Sequence, residues 1–273
     1  MIKRILFILM MLFSGAMYGQ YLEFGPYVGG TYYLGDLNPG KHFRMMSPAY
    51  GGIMRCNFND RWVGRLNFMF GKVSGDDQKL KAVENRNLNF ESQIFEISLQ
   101  AEVNFLPYYT GSWREFFSPY IFAGVGAFTM NPTGIVNGEK VTLRELGTEG
   151  QLSGEYPDKK PYNLTQLCIP FGIGFRVSFW KNFCAGVEWG IRKTFTDYLD
   201  DCSTVYYLDS ETADFSTSAA MASDPNMNHK PGMQRGTSEY NDWYTFVGAT
   251  LTYKINLFKK SDCPHLWSSK RFE

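Results

Sequence analysis

The sequence predicts an all-β protein: an eight-stranded antiparallel transmembrane β-barrel of the outer-membrane kind, with long external loops. Three observations lead there. The chain opens with an export signal. Apolar and polar residues then alternate with a period of two in long runs, and the connections between those runs are alternately short and long.

The export signal occupies residues 1–19. Met1-Ile2-Lys3-Arg4 is a basic start, Ile5 to Phe13 is a compact apolar run, and Ser14, Gly15, Ala16 and Gly19 are the small residues a signal peptidase requires. Cleavage after Gly19 leaves Gln20 first, and Ala16 offers an alternative site. No cysteine lies near the cut, so a lipoprotein anchor is not expected. The apolar run is also short of the roughly 20 residues of a spanning helix, and no later stretch approaches that length. The exported chain is therefore periplasmic, secreted or a barrel, and the strand pattern must decide.

Eight strands are expected at about 20–32, 48–58, 62–73, 90–105, 118–130, 165–179, 183–197 and 243–257. In the fourth, Phe95, Ile97, Leu99, Ala101, Val103 and Phe105 share one face, while Glu96, Ser98, Gln100, Glu102 and Asn104 share the other. The sixth sets Leu167, Ile169, Phe171, Ile173, Phe175, Val177 and Phe179 against Cys168, Gly172, Gly174, Arg176 and Ser178. The seventh sets Ala185, Val187, Trp189 and Ile191 against Glu188, Arg192 and Thr194. A β-sandwich also alternates, but its strands average about five or six residues. These runs match the roughly 9–11 residues of a tilted transmembrane strand. The last strand carries Phe246-x-Gly248-x-x-Leu251-x-Tyr253, a spacing that resembles the signal by which outer-membrane barrels are recognised for assembly.

The connections complete the pattern. Residues 57–60 and 180–182 are tight turns, 106–115 is a somewhat longer polar one, and 33–47, 74–89, 131–164 and 198–242 are long. An even strand number puts both ends of the barrel domain, 20–257, on the periplasmic side, followed by a small basic tail at 258–273. The stretch from Ser210 to Glu239 has no periodicity and is expected to be mobile.

Candidate chemistry is sparse. With 27 basic and 27 acidic residues the net charge is zero, so nothing points to nucleic acid as a partner. His42 and His229 lie in external loops with no nucleophile or carboxylate partner indicated, and read as solvated. Asp197, Asp200 and Asp201 cluster at a loop base where calcium is conceivable, but the spacing is not that of an EF-hand and an acidic loop start is ordinary. Gly124-x-Gly126 and Gly172-x-Gly174 fall inside strands, where glycine relieves crowding in a narrow bore. The inward charges Arg55, Arg65, Glu96, Glu102, Arg176, Glu188, Arg192 and Lys254 are of both signs and are expected to pair as a plug. Of five cysteines, Cys168 and Cys202 are placed to pair on the outside, and Cys263 is placed for a bridge to another protein; the alternative is a set of reduced thiols. No cofactor, metal or catalytic group is assigned.

Four segments together resemble one family: Tyr33-Leu-Gly-Asp-Leu-Asn-Pro39, Phe117-Ser-Pro-Tyr-Ile-Phe-Ala-Gly-Val-Gly-Ala-Phe128, Ile169-Pro-Phe-Gly-Ile-Gly-Phe-Arg176 and Arg192-Lys-Thr-Phe-Thr-Asp-Tyr-Leu-Asp-Asp-Cys-Ser203. The chain looks like the PorG family, the outer-membrane barrel component of type IX protein secretion. The last segment is the most specific of the four. The resemblance implies a non-enzymatic anchor for the periplasmic ring built by the lipoprotein PorK and its partner PorN, while secreted substrates cross through a different, larger barrel. It places the partner contacts on the periplasmic turn 106–115 and on the tail, with Lys259, Lys260, Trp267, Arg271 and Cys263 as candidates. In that family an aliphatic residue is common where Cys202 stands, which weakens a Cys168–Cys202 bridge. The other readings are a generic small barrel of the OmpA type, serving surface stability or adhesion, and a lipid-modifying outer-membrane enzyme.

Overall fold

The computed structural model describes residues 21–256 apart from Glu155 and Pro157. The expected signal peptide and the tail, with Lys259, Lys260, Cys263, Trp267 and Arg271, lie outside the described residues. In chain order the strands are β1 (Tyr21–Leu34), β2 (Ser47–Asn57), β3 (Trp62–Asp76), β4 (Asn89–Asn104), β5 (Phe117–Thr129), β6 (Pro132–Val136), β7 (Glu139–Thr142), β8 (Thr165–Ser178), β9 (Phe183–Thr194) and β10 (Trp243–Ile255). Three short helices lie between them: α1 (Asp77–Leu80), α2 (Leu143–Leu146) and α3 (Ser218–Ser223).

β1 to β5 and β8 to β10 form an antiparallel ring that closes through β1 and β10. The register fixes the bore. Starting at Leu22, successive partners are Cys56, Gly64, Ala101, Ala123, Phe171, Ile191, Thr245 and then Tyr32, ten residues further along β1. An offset of ten residues at about 3.3 Å each, against eight strands about 4.8 Å apart, inclines the strands by roughly 40°. A ring this small has no open lumen; side chains fill it.

The alternation read from sequence sorts the two faces. Leu99, Val125, Leu167, Ile173 and Val187 are exposed on the outer surface. Glu96, Ser98, Gln100, Glu102 and Asn104 are buried inside. All eight expected inward charges are buried and engaged. Glu102 lies 3.1 Å from Arg55, 3.4 Å from Arg65 and 3.2 Å from Arg176. Glu188 lies 2.8 Å from Arg65 and accepts the Tyr120 hydroxyl at 2.9 Å. Glu96 holds Arg192 at 3.0 Å and accepts Tyr244 at 2.9 Å. Glu23 joins them, at 4.0 Å from Arg176 and 3.3 Å from the Thr252 hydroxyl. Lys254 donates to the Thr110 carbonyl at 2.5 Å. These links run across the bore, from β2, β3 and β4 to β8 and β9. Glycine makes room for them: a Cβ at Gly174 would sit 2.4 Å from the Tyr120 ring that serves Glu188.

At the long-loop end the connections are folded together, and the stretch from Ser210 to Glu239, expected to lack structure, contains a helix and buried side chains. Residues 131–164 contain the β6–β7 hairpin, which extends β4 through Glu91↔Thr133, and α2. Residues 198–242 contain α3 and the buried side chains Leu199, Cys202, Tyr206, Asp224 and Arg235. The apolar core continues from the bore through Tyr33, Phe90 and Tyr244 into Leu37, Leu88, Leu143, Leu199 and Ala222 of this cap. It is this packing that orders the loops, and loop composition alone does not reveal it.

Removing one member of the bore network leaves its partner charged in a dry interior, a loss of about 3–5 kcal/mol. Arg65→Met should therefore unfold at markedly lower urea, read by the mobility shift between folded and heat-unfolded barrel on gels. Arg65→Met with Glu188→Gln should recover part of that loss. An unchanged midpoint for Arg65→Met would show that the network does not hold the wall.

Candidate interaction surfaces at the two ends of the barrel

Two arginines organise the loop-end cap. Arg86 grips Asp77 with Nε at 2.8 Å and Nη2 at 2.7 Å, and donates at 2.9 Å to the carbonyls of Asp36 and Arg235. Three long loops are thereby tied by one side chain. Arg235 donates to Glu149 at 3.1 Å, to the Asp201 carbonyl at 2.6 Å and to the Ser223 carbonyl at 3.1 Å. Burial pushes the Glu149 carboxyl up, but Arg235 and the backbone N–H groups of Ser203 and Thr204 outweigh it and hold Glu149 below its ordinary value.

The three aspartates singled out in the sequence are buried together but go to different partners. Asp201 accepts Thr148 at 2.5 Å and Tyr162 at 2.7 Å. Asp200 accepts the Cys202 N–H at 2.9 Å and the Tyr33 hydroxyl. Asp197 keeps one buried oxygen without a hydrogen-bond partner. Among the described residues no group of three or more His, Cys, Asp or Glu side chains is arranged to hold a metal ion.

Asp242 sits in no motif that sequence reading would single out. Its Oδ1 lies 3.0 Å from the same Tyr33 hydroxyl that Asp200 engages, and its Oδ2 accepts the Leu199 N–H at 2.9 Å. One hydroxyl has one proton and cannot donate to both carboxylates. One of the two acids must carry a proton of its own for both contacts to hold. Burial pushes both carboxyls up, helped by the charge of Asp36 beside Asp200 and by the charges of Asp200 and Asp197 beside Asp242. Burial likewise pushes Asp197 up to about 8 and Asp201 up to about 6.

Of the two loop histidines, His229 is less solvated than expected. His229 pairs with Asp224 at 2.8 Å and stacks on Tyr206 at 4.0 Å, with Asp224 also accepting the N–H groups of Asn228 and His229. The arrangement clamps a loop. His42 is exposed on the rim, 3.1 Å from the Tyr32 hydroxyl, which in turn accepts Trp189 Nε1 at 2.9 Å. The cysteine pairing is not formed: Cys56, Cys168, Cys184 and Cys202 are all free thiols. The Cys168 sulfur lies 3.5 Å from the Tyr244 hydroxyl inside the bore, whereas Cys202 donates to the Arg235 carbonyl at 3.1 Å. Facing the same end of the barrel does not bring them together.

At the short-turn end, residues 105–116 do more than connect β4 to β5. Tyr108 and Thr110 turn inward and are buried. Thr110 donates to Glu23 and gives its carbonyl to Lys254, while the Arg176 guanidinium lies 3.9 Å over the Tyr108 ring. The turn thus closes the bore from below. Gly111 makes the reversal at φ +92°, with its N–H 2.7 Å from Ser178 Oγ and no room for a Cβ against the Lys181 carbonyl. Beyond it Trp113 stands 96% exposed at the tip. Trp113 and Phe116 face Phe179, Trp180 and Lys181 of the neighbouring turn across a cleft of about 510 Å³. Sequence reading named the turn but missed this pairing of two turns, which arises because β5 and β8 are neighbours in the ring.

The family described as a domain of unknown function, DUF6089, matches residues 2–216. The chain belongs to the DUF6089 family. No curated protein matches it. Among solved structures this DUF6089 protein is similar to the N-terminal β-barrel domain of Pseudomonas aeruginosa OprF, at 13% identity over 86% of this chain and 98% of that one, with a TM-score of 0.36. It is also similar to Yersinia pestis Ail, the attachment invasion locus protein, solved with the heparin analogue sucrose octasulfate (10% identity, 86% and 97% covered, TM-score 0.38). A third is Neisserial surface protein A (8% identity, 86% and 96% covered, TM-score 0.40).

The buried acids of the cap give a pH prediction. An acid whose folded pKa is raised keeps its proton in the closed cap but releases it on opening at any pH above about 4. The cap therefore loses stability as pH rises from about 4 toward 8. Cleavage within 198–242, normalised to an unfolded peptide at each pH, should be faster at pH 9 than at pH 6. Asp242→Asn should flatten the difference. A cleavage rate independent of pH would remove the shared proton from the account.

Proposed function

We propose that this protein is a non-enzymatic outer-membrane anchor of the type IX secretion machinery, tying the periplasmic ring of PorK and PorN to the membrane. The observation that carries the reading is the 105–116 turn, which seals the bore with Tyr108 and Thr110 while presenting Trp113 beside Trp180 on the outside. A sealed barrel with an apolar, cation-flanked surface at one end is suited to hold something, not to pass it. Arg114 and Lys181 supply the cations. The four segments that resemble the PorG family supply the identity of the partner. The export signal and the closed, lipid-facing wall support an outer-membrane location, since in lipid only a closed ring satisfies every backbone group of a sheet. An even number of wall strands brings both ends of the wall, Tyr21 and Ile255, to the short-turn side, which we assign to the periplasm.

Tagged protein purified from detergent-solubilised outer membranes should bring the ring lipoprotein and its partner in stoichiometric amounts. Trp113→Ala with Trp180→Ala should reduce that recovery several-fold without changing barrel folding. Cys263→Ser should abolish any higher-mass band on non-reducing gels that contains both proteins. A barrel recovered alone, or with lipid only, would overturn the reading and leave a small outer-membrane barrel of another role.

A further inference from the structure

A second concave surface lies on the outer wall at the long-loop end. Tyr50, Phe70 and Phe95 occupy one cross-strand row on β2, β3 and β4, through the pairs Tyr50↔Phe70 and Phe70↔Phe95. Tyr50 and Phe70 stack at 5.5 Å with planes 16° apart, and Phe70 meets Phe95 at 4.7 Å. Two residues nearer the loops, Lys72 pairs with Gln93. Pro48, Lys72, Gln93 and Asn131, with the aromatic row below them, line a groove of about 440 Å³.

The charge at its upper edge is unusual for a barrel wall. Lys72 of β3 and Lys140 of β7 both contact one carboxylate, Glu91, at 2.8 and 2.7 Å. Two ammonium groups on one carboxylate leave a surplus positive charge, and each ammonium has donors to spare. The nearest further acid along β3, Asp76, is already paired with Lys79 at 3.2 Å. The β6–β7 hairpin therefore does a specific thing: it brings a second lysine to the carboxylate that Lys72, at the lip of the groove, already engages.

A girdle of aromatics is ordinary at a membrane interface. A concavity with an aromatic floor and a cationic lip is more selective. It is continuous with the lipid-facing wall, so what lies against it is a bilayer lipid. Its apolar floor takes acyl chain, and its lip takes an anionic headgroup. We propose that this groove seats one phosphorylated glycolipid of the outer leaflet, with a phosphate on Lys72 and Lys140 and an acyl chain across Tyr50, Phe70 and Phe95. The inference rests on the assignment of the long-loop end to the outside.

The test uses the full-length barrel, delipidated in detergent and examined by native mass spectrometry with added diphosphoryl lipid A or phosphatidylethanolamine. One lipid A per barrel is expected, bound at least tenfold more tightly than phosphatidylethanolamine. Lys72→Ala with Lys140→Ala should weaken lipid A by more than about tenfold, since a single lost charge-assisted hydrogen bond already carries that weight. Tyr50→Ala should weaken both lipids. Lys230→Ala, on the cap, should change neither. Equal binding of the two lipids, or indifference to the paired lysine substitution in a barrel that keeps its folded gel mobility, overturns the proposal. Labelling of Asn137→Cys on intact cells with an impermeant reagent checks the orientation separately: a barrel that binds lipid A as described but is not labelled refutes the assignment of sides and leaves the groove chemistry standing.

Discussion

A sheet placed in lipid has no water to satisfy an open edge, so its ladder must close. The remaining features follow from that constraint. Eight strands and an offset of ten residues give a ring too narrow for solvent. Every second residue points into it, and many of those residues are charged. They are tolerable only if they neutralise one another within the bore. Glu102, ringed by Arg55, Arg65 and Arg176, and Glu188, held by Arg65 and Tyr120, are how this chain does so. Opposite walls of the ring are thereby tied together through its centre.

The two ends solve the same problem differently. At the short-turn end a single excursion, 105–116, tucks Thr110 against Glu23 and Lys254 and terminates the network. At the long-loop end four connections share a core, with Arg86 and Arg235 as its ties. Acids outnumber arginines there, and a proton shared through Tyr33 keeps Asp200 and Asp242 compatible. One end is closed by a short turn and offers aromatic surface, while the other is closed by a small domain of its own.

The wall was legible because its cause is local. Alternation in Phe95 to Phe105 and Leu167 to Phe179 reflects the two faces directly, and the strand limits agree within a few residues. The inward charges followed from the same parity. What could not be read depends on residues distant in sequence. Arg235 meets Glu149 across 86 residues and Tyr33 meets Asp242 across 209. No spacing rule connects such pairs, so the segment holding Arg235 looked like a structureless loop. Of the two readings of the cysteines, a Cys168–Cys202 bridge and free thiols, the second holds, because topology places residues at one end of the barrel but does not say whether they face the bore or the cap. One element was readable and passed over. Asn137-Gly138, between Ile135-Val136 and Lys140-Val141, is a strong hairpin signal, and both residues adopt the positive φ that a tight two-residue turn needs. The turn 106–115 was legible as a polar connection between β4 and β5, yet the inward role of Tyr108 and Thr110 needed the ring to be seen.

The bore is sealed by its own charges and is no path for solute. Ion conductance of the refolded full-length protein in planar lipid bilayers tests it most directly. A sealed bore predicts membranes that stay at baseline current across the voltage range after insertion is confirmed. Stable, unitary current steps carried by the intact barrel would contradict it.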